Sequence, residues 1–408
     1  MAGIVIIGAG HGGTQLAVSL REEGYEGPIT VISVDPDHPY HKPPLSKSFM
    51  KTPDAALQPL RAPQVFVDQD IDLRLGVRVE ASDRASKRLT LSDGTICPYD
   101  KLVFATGTEA RRLSVPGADL KGVFTLRTAE DARALRTALP EAAQVVVIGG
   151  GFIGLEAAAM LAGRGLSVSV VELAPRLLGR AASAEIASEV ETILTGMGVQ
   201  VRTGTELCDI VGGQGQVTGV RIADETLPAD LVIVGIGALP VDDLARAAGL
   251  EIDNGIAVNA VLQSSDPEIY ALGDCASFPD PESGERRRLE SVQNATDQAR
   301  ALAKTLAGRV TPYAAVPWFW SDIGAMKLQI AGLLQGAENS IESRTPEGRL
   351  KSVYHLKAGR LVAVETINSA GEHMLARQML AAGFTPEADL MRGGDPRQLK
   401  AAFVAAQS

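Results

Sequence analysis

The pattern of apolar and polar residues repeats once along the chain. An apolar strand, a glycine-rich turn and a helix with apolar residues at helical spacing occupy residues 3–20, and the same order returns at residues 144–162. Each copy continues into a second strand and an acid: residues 29–34 with Asp35, and residues 167–171 with Glu172. Because strand, helix and strand in this order form a parallel pair with a right-handed crossover, the repeat predicts two doubly wound α/β domains.

Both halves end in a similar way, and the rest of the chain differs from them. Apolar strands at residues 99–107 and 230–237 each run into glycine, which leaves room for a ligand at the carboxyl edge of the sheet. From about Pro312 the chain changes to mixed strands and loops, with a helix around residues 372–382. The sequence therefore predicts a third, C-terminal domain of mixed α+β structure without nucleotide motifs.

Composition narrows the class of protein. Of 408 residues, 45% are hydrophobic and 22% are charged, which is typical of a globular protein with two or three domains. The chain enters an apolar strand almost at once, and no apolar run approaches the ~20 residues of a membrane helix, so we expect a cytoplasmic protein. The net charge of −10 argues against nucleic acid as a partner, because phosphate binding needs a local excess of Lys and Arg.

The glycine-rich turns have the spacing of a dinucleotide fingerprint, GxGxxG. The glycines at its three positions are Gly8, Gly10 and Gly13 in the first copy, and Gly149, Gly151 and Gly154 in the second. The first glycine permits a tight turn, the second lets backbone N–H groups approach a pyrophosphate, and the third lets the helix pack closely on the strand. Two such turns predict two dinucleotide sites, one for a bound flavin and one for a diffusing nicotinamide.

Glu172 predicts which nicotinamide binds. A carboxylate accepts hydrogen bonds from the ribose hydroxyls of NADH and repels the 2′-phosphate of NADPH, so we expect a preference for NADH. Arg176 and Arg180 follow closely and could accept a 2′-phosphate, but they are more simply interpreted as contacts to the pyrophosphate or ribose.

Four motifs carry a resemblance to a known family. They are HKPPLSK (41–47), IYALGD (269–274), ESVQNATDQAR (290–300) and PWFWSD (317–322). Together they resemble the FAD-dependent ferredoxin reductases that supply oxygenases, through nearly the whole chain. The resemblance implies a glutathione-reductase-like α/β fold with two Rossmann-type dinucleotide-binding domains and a C-terminal α+β interface domain. It implies these bounds: FAD-binding at 1–107 and 240–311, NADH-binding at 108–239, and the interface domain at 312–408.

The resemblance also assigns cofactor contacts. Those to FAD are Gly12, Lys47, Val79, Arg127, Asp274 and Val292, and those to NADH are Gly151, Glu156 and Glu172. Asp274 would reach the ribityl chain, and we expect a helix to begin there, with a simple helix N-cap as the alternative. Several relatives carry an acid where this chain has Val34, so either Asp35 takes over the adenosine ribose or the ribose is held differently.

Lys47 and two tryptophans are the residues expected nearest the flavin. The resemblance pairs Lys47 with Glu156 and places the lysine against the flavin, where a cation would stabilise the anionic reduced form. Trp318 and Trp320 are two apart in an extended segment and so face the same side. We expect them to form a wall of the flavin pocket, with a position in the core as the alternative.

The expected activity is NADH-dependent reduction of a small [2Fe–2S] ferredoxin, because flavin can convert a two-electron donor into a source of single electrons. An acidic ferredoxin would be attracted by basic residues, although a solvated loop is the alternative for such a run. These residues are Arg286, Arg287 and Arg288, together with Arg300 on the following predicted helix. A rubredoxin or another small redox protein is an alternative acceptor. An apoptosis-inducing-factor-like NADH-binding flavoprotein is the alternative that acts mainly by binding.

A disulfide reductase is the rival enzyme class. It needs a redox cysteine against the flavin, and residues 35–62 contain none. The cysteines of the chain, Cys97, Cys208 and Cys275, are too scattered for a disulfide framework or a metal site, and we expect small buried residues. No metal is expected. No Ser, Cys or residue at metal-ligand spacing accompanies His11, His38 and His41 in the sequence, so we assign them no catalytic role.

Overall fold

A computed structural model describes residues 2–50, 52, 54–223 and 225–407. The elements up to residue 110 are β1 (Ile4–Ile7), α1 (His11–Glu22), β2 (Ile29–Ile32), α2 (Pro63–Asp68), β3 (Ile71–Arg74), β4 (Val79–Asp83), β5 (Arg88–Leu91), β6 (Ile96–Pro98), β7 (Lys101–Phe104) and β8 (Thr108–Ala110). The next elements are β9 (Val123–Phe124), α3 (Ala129–Ala138), β10 (Gln144–Ile148), α4 (Phe152–Ala162), β11 (Ser167–Val171), α5 (Ala184–Gly196), β12 (Gln200–Arg202), β13 (Leu207–Gly213), β14 (Gln216–Ile222), β15 (Glu225–Pro228) and β16 (Leu231–Val234).

The remaining elements follow in chain order. They are β17 (Ala238–Pro240), α6 (Asp243–Ala247), β18 (Ile256–Ala257), β19 (Ile269–Ala271), β20 (Ala276–Pro279), β21 (Arg286–Arg287), α7 (Val292–Leu306), β22 (Trp318–Ile323), β23 (Met326–Gly332), β24 (Asn339–Arg344), β25 (Leu350–Lys357), β26 (Arg360–Ile367), α8 (Ala370–Ala381), α9 (Ala388–Gly393) and α10 (Pro396–Gln407). None of these helices is long and apolar enough to cross a membrane.

The chain divides into two compact units. The first unit comprises the residues up to Lys42, then Ala56–Glu109 and Ala238–Ala315. The second unit comprises Pro43–Ala55, Ala110–Gly237 and the residues from Val316 onward. The short segment 43–55 therefore belongs to the second unit although both of its neighbours in the sequence belong to the first.

The first unit is built on a parallel sheet in the order β19-β7-β1-β2-β3. The apolar run of β1 lies at its centre, where burial on both faces favours continuous aliphatic residues. Helix α1 packs against α7. Strand β2 ends at Ile32, two residues earlier than predicted, so Val34 and Asp35 lie in the loop that follows.

The second unit contains a parallel sheet in the order β12-β11-β10-β16-β9, which repeats the arrangement of the first. Residues from Trp318 onward add an antiparallel sheet in the order β22-β23-β26-β25-β24, against which α8 packs. Strand β22 is the edge of this sheet, and it carries the two tryptophans.

Candidate active site

The first glycine turn has the geometry of a phosphate-binding turn. Gly8 has φ +110°, and a side chain there would lie 2.2 Å from the carbonyl oxygen of Ala105. A side chain at Gly13 would lie 1.9 Å from the Gly8 carbonyl oxygen, so close helix packing requires glycine. At Gly10, no atom of the described residues other than its own and those of its chain neighbours lies within 4 Å of the position a side chain would take. Helix α1 begins beside this open space without a side-chain cap or an acid in its first turn, which suits a dinucleotide pyrophosphate.

The second turn repeats this design. Gly149 has φ +107°, and a side chain at Gly154 would lie 2.4 Å from the Gly149 carbonyl oxygen. Helix α4 begins after Gly151 without a side-chain cap. A side chain at Gly151 would have one described neighbour within 4 Å, the Gly235 carbonyl oxygen at 3.9 Å. The donors and the space at both turns therefore fit a dinucleotide.

Gly12 has a different role in the packing. A side chain there would lie 2.4 Å from Leu272 and 3.5 Å from the Ala295 side chain. Its lack of a side chain therefore lets α1 approach α7, and its predicted contact with FAD stays a prediction.

Glu172 lies at the edge of the second turn and is held by backbone donors. Its Oε2 accepts a hydrogen bond from the Gly150 N–H at 2.5 Å, and its Oε1 accepts one from the Ala174 N–H at 2.6 Å. Each oxygen retains capacity for a further bond, so the carboxylate can also accept ribose hydroxyls. The sequence did not reveal that the same carboxylate shapes the turn.

The two arginines that follow have different environments. The guanidinium of Arg176 donates to carbonyl oxygens of its own loop, those of Leu177, Leu178, Gly179 and Ser183. Arg180 is exposed. Arg176 therefore holds the loop together, and Arg180 is the arginine better placed to meet a ligand.

Asp35 is engaged within its own loop. Its carboxylate accepts the Tyr40 hydroxyl at 2.8 Å and the Asp37 N–H at 3.1 Å, the latter forming a local turn. The Val34 side chain is 56% exposed. Sequence reasoning missed Tyr40, although its position beside the HKPPLSK motif was a signal. Which group meets the adenosine ribose stays a prediction.

The helix expected at Asp274 is wrong. Gly273–Cys275 form a single 3-10 turn, and the chain continues as β20, whose apolar residues are buried and pair with β18. The helix that follows begins at Val292, with Ser291 as its cap. The Asp274 carboxylate accepts the Thr108 hydroxyl at 3.3 Å. Its predicted contact with the ribityl chain stays a prediction.

Two further predicted FAD contacts lie at the beginnings of elements. Val79 is the first residue of β4 in the first unit. Arg127 lies in the second unit, just before the cap of α3, and its N–H donates to the Asp131 carboxylate at 2.9 Å.

Lys47 and Glu156 form the ion pair that the resemblance implied. The Lys47 Nζ lies 2.7 Å from Glu156 Oε2, which also accepts the Ser46 hydroxyl at 2.7 Å. The other oxygen, Oε1, accepts the Ser321 hydroxyl at 2.7 Å and the Asp322 N–H at 3.2 Å. Glu156 is only 7% exposed, so its charge depends on these four donors.

The two serines of this network were missed in the sequence. Ser46 precedes Lys47 in the HKPPLSK motif, and Ser321 lies in PWFWSD, so both belonged to motifs that had been singled out. A hydroxyl carries no periodic or charge signal, and only the folded chain shows that both hydroxyls donate to one carboxylate.

Trp318 and Trp320 lie side by side, with ring centroids 5.5 Å apart. The guanidinium carbon of Arg377 lies 4.5 Å from the centroid of Trp318, and the His373 ring contacts it edge-on at 5.6 Å. Because side chains alternate along a strand, the tryptophans and Ser321 project from opposite faces of β22. Trp318 therefore packs against α8, and the predicted place of both rings at the flavin stays a prediction.

His373 itself is a buried histidine, 2% exposed, and neither ring nitrogen has a hydrogen-bond partner among the described residues. Burial, and to a smaller extent the positive charge of the nearby Arg377, lowers its pKa from 6.5 to about 4. The ring is therefore neutral at neutral pH.

The basic run is largely neutralised within the first unit. Each arginine forms an ion pair with an acid: Arg286 with Asp253 at 3.8 Å, Arg287 with Asp280 at 3.2 Å, Arg288 with Glu290 at 2.6 Å, and Arg300 with Asp297 at 2.9 Å. The local excess of positive charge is therefore smaller than the sequence suggested. A role in docking a partner stays a prediction.

All three cysteines are free thiols. Cys97 and Cys275 are buried, and burial raises the pKa of both thiols. Cys208 is exposed on β13, so its expected burial is wrong. No group of three or more His, Cys, Asp or Glu side chains among the described residues could hold a metal ion.

Comparisons with known proteins agree with this geometry. A model described as pyridine nucleotide-disulphide oxidoreductase matches residues 2–299, and one described as reductase C-terminal matches residues 318–402. The chain is 43% identical to rhodocoxin reductase from Rhodococcus erythropolis over 388 residues, which covers 94% of this chain and 91% of that protein.

Solved structures give the same answer. The ferredoxin reductase for the CYP199A2 system from Rhodopseudomonas palustris matches with a TM-score of 0.94 and 42% identity, over 98% of this chain and 99% of that one. The covalent putidaredoxin reductase–putidaredoxin complex matches with a TM-score of 0.93 and 38% identity, over 100% of this chain and 99% of that one. The predicted fold class is confirmed. The chain therefore belongs to the pyridine nucleotide-disulphide oxidoreductase family and, within it, to the FAD-dependent ferredoxin reductases.

Proposed function

We propose that this protein uses NADH to reduce a small [2Fe–2S] ferredoxin that supplies an oxygenase, with FAD as its bound cofactor. The overall reaction converts NADH and two oxidised ferredoxins into NAD⁺, a proton and two reduced ferredoxins. Bound FAD supplies the exchange between a two-electron donor and one-electron acceptors. We also propose the cytoplasm as its location, and residues 1–107 with 240–311, 108–239 and 312–408 as the FAD, NADH and interface domains.

The observation that carries the proposal is the Lys47–Glu156 pair. The carboxylate that holds this lysine is buried and also accepts two serine hydroxyls and a backbone N–H, so the lysine is fixed in orientation rather than mobile. Such a cation can stabilise negative charge that develops on a reduced flavin ring, and it does so without giving up a proton.

The residues at the two glycine turns divide the remaining tasks. The turn at Gly8–Gly13 offers backbone donors and space to the pyrophosphate of FAD, and the turn at Gly149–Gly154 offers the same to NADH. Glu172 selects the nucleotide that lacks a 2′-phosphate. None of these tasks requires a redox cysteine or a metal.

The test is NADH-driven reduction of purified redox proteins by the FAD-loaded enzyme. A [2Fe–2S] ferredoxin, a rubredoxin and an artificial acceptor such as ferricyanide would be compared, each followed by its own absorbance. Rapid ferredoxin reduction with little rubredoxin reduction is expected. The reverse preference would assign the enzyme to rubredoxin. A slow, long-lived NADH complex that reduces none of them would favour the apoptosis-inducing-factor-like alternative.

A further inference from the structure

The segment that carries Lys47 is held by the second unit at several points. The described residues of segment 43–55 form two short 3-10 turns, Pro43–Ser46 and Ser48–Met50, and no long element with its own hydrogen-bond ladder. Ser46 and Lys47 bind Glu156 on α4. After the exposed Ser48, both Phe49 and Met50 are buried. Such a segment takes its conformation from the groups that hold its backbone.

Arg136, in the last turn of α3, holds the other end of this segment. Its guanidinium donates to the Phe49 carbonyl oxygen at 3.3 Å and to the Ala55 carbonyl oxygen at 3.0 Å. The guanidinium carbon also lies 4.1 Å from the centroid of the Phe49 ring, within the range of a cation–π contact. One planar cation therefore joins two carbonyls six positions apart and packs on the ring of Phe49, two positions after Lys47. Arg164, just beyond α4, donates to the Met50 carbonyl oxygen as a second anchor.

We infer that Arg136 is a positioning residue for Lys47, and this inference rests on the proposed function of Lys47 at the flavin. Glu156 fixes the ammonium group, whereas Arg136 fixes the backbone from which the flexible lysine stem extends. A lysine cannot replace an arginine fully here, because the two carbonyls and the ring are met by one planar fork. If the backbone of Phe49 shifts, the ammonium group either moves with it or leaves Glu156.

The test uses Arg136→Ala and Arg136→Lys, with Arg133→Ala as the matched control, because Arg133 is exposed on the same helix and its loss changes the charge equally. FAD content, the flavin midpoint potential and the rate of flavin reduction by NADH would be measured for each protein. Since displacement of a catalytic group by about 1 Å can cost up to about a hundredfold in rate, we expect Arg136→Ala to slow flavin reduction by roughly ten- to a hundredfold.

Three further expectations separate positioning from a general loss of structure. Arg136→Ala should lower the flavin potential in the same direction as Lys47→Met, and it should add nothing to the effect of Lys47→Met in the double variant. Added guanidinium ion should restore part of the rate to Arg136→Ala. The rate of flavin reduction in Arg136→Lys should fall between those of the wild-type protein and Arg136→Ala. This variant keeps the test available if Arg136→Ala loses its FAD.

The outcomes distinguish the two proposals. If Lys47→Met leaves the potential and the rate unchanged, the proposed function of Lys47 fails. If Lys47→Met is impaired while the Arg136 variants behave like Arg133→Ala, or if the two changes are simply additive, the positioning role of Arg136 is overturned and the function of Lys47 stands.

Discussion

Replacement of Glu172 by alanine should change both the shape of the nicotinamide turn and the choice of nucleotide. In the structure, the carboxylate accepts the Gly150 N–H at 2.5 Å and the Ala174 N–H at 2.6 Å, so alanine removes two bonds that exist before any nucleotide arrives. It also removes the proposed bonds to the ribose. Hydrogen bonds to a charged group contribute about 1.5–3 kcal/mol each, so the loss has a structural part as well as a binding part.

The loss of nucleotide binding can be estimated and then separated from the structural loss. Loss of the ribose contact at roughly 1–3 kcal/mol corresponds to a fall of about 5- to 150-fold in kcat/KM for NADH. Glu172→Gln keeps one oxygen acceptor but turns its amide NH₂ toward a backbone N–H, so we expect an intermediate loss. Use of NADPH should improve in both variants, because the like charge is gone and the exposed Arg180 can meet the 2′-phosphate.

The assay is steady-state kcat/KM for NADH and NADPH with ferricyanide as acceptor, so that docking of a redox partner does not enter. Glu191→Ala is the control, because it removes an exposed carboxylate from α5 of the same unit. A wild-type enzyme that prefers NADPH would refute the selectivity assigned to Glu172. An alanine variant with an unchanged ratio of the two kcat/KM values would refute it as well.

Three other changes have defined outcomes. Lys47→Met should keep FAD bound but lower the flavin potential and slow reduction by NADH, because the Glu156 charge loses its cation; potentiometric titration and stopped-flow absorbance measure both, and unchanged values would leave Lys47 a structural role. Replacing all three cysteines by Ser or Ala should leave ferredoxin reduction largely intact in the same assay, and loss of hydride transfer with FAD still bound would restore the dithiol rival. Since the pKa of His373 falls from 6.5 to about 4 on folding, the unfolded chain binds a proton first, and stability is lost as pH falls through this window. Between pH 7 and pH 5 this proton binding should lower the free energy of unfolding of the wild-type protein by up to about 2 kcal/mol. His373→Leu should remove this pH dependence, which denaturant unfolding measures. An unchanged pH dependence in the variant would contradict the lowered pKa.

The parts of the fold that could be predicted are those whose residues are consecutive in the sequence. The glycine spacing and the apolar runs at β1 and β10 predict both nucleotide turns, because the turn, the strand and the helix are consecutive in sequence. The end of β11 before Glu172 was also predicted, since an acid ends an apolar run there.

The errors have equally physical causes. Asp274 follows a glycine at the end of an apolar strand, which suggested the start of a helix. The next residues instead form a buried strand, because their pairing with β18 outweighs the local signal. The basic run suggested a positive patch because proximity in the sequence does not show which acid pairs with which arginine. Glu290 lies next to the run, whereas Asp253 is brought to Arg286 only by folding. The backbone hydrogen bonds to Glu172, and those from Arg136 to segment 43–55, depend on the folded geometry and leave no pattern in the sequence.

The Glu156 network has a consequence for how the protein is made. Its donors come from segments 110 positions before and 165 positions after it, so Lys47 is synthesised first, Glu156 next and Ser321 much later. As domains usually fold in the order of synthesis, both glycine turns can form on the nascent chain while Glu156 still lacks two of its four donors. A chain stopped before β22 would therefore keep its nucleotide turns and lack a finished Lys47 site. Synthesis must therefore pass Asp322 before Glu156 has all four of its donors.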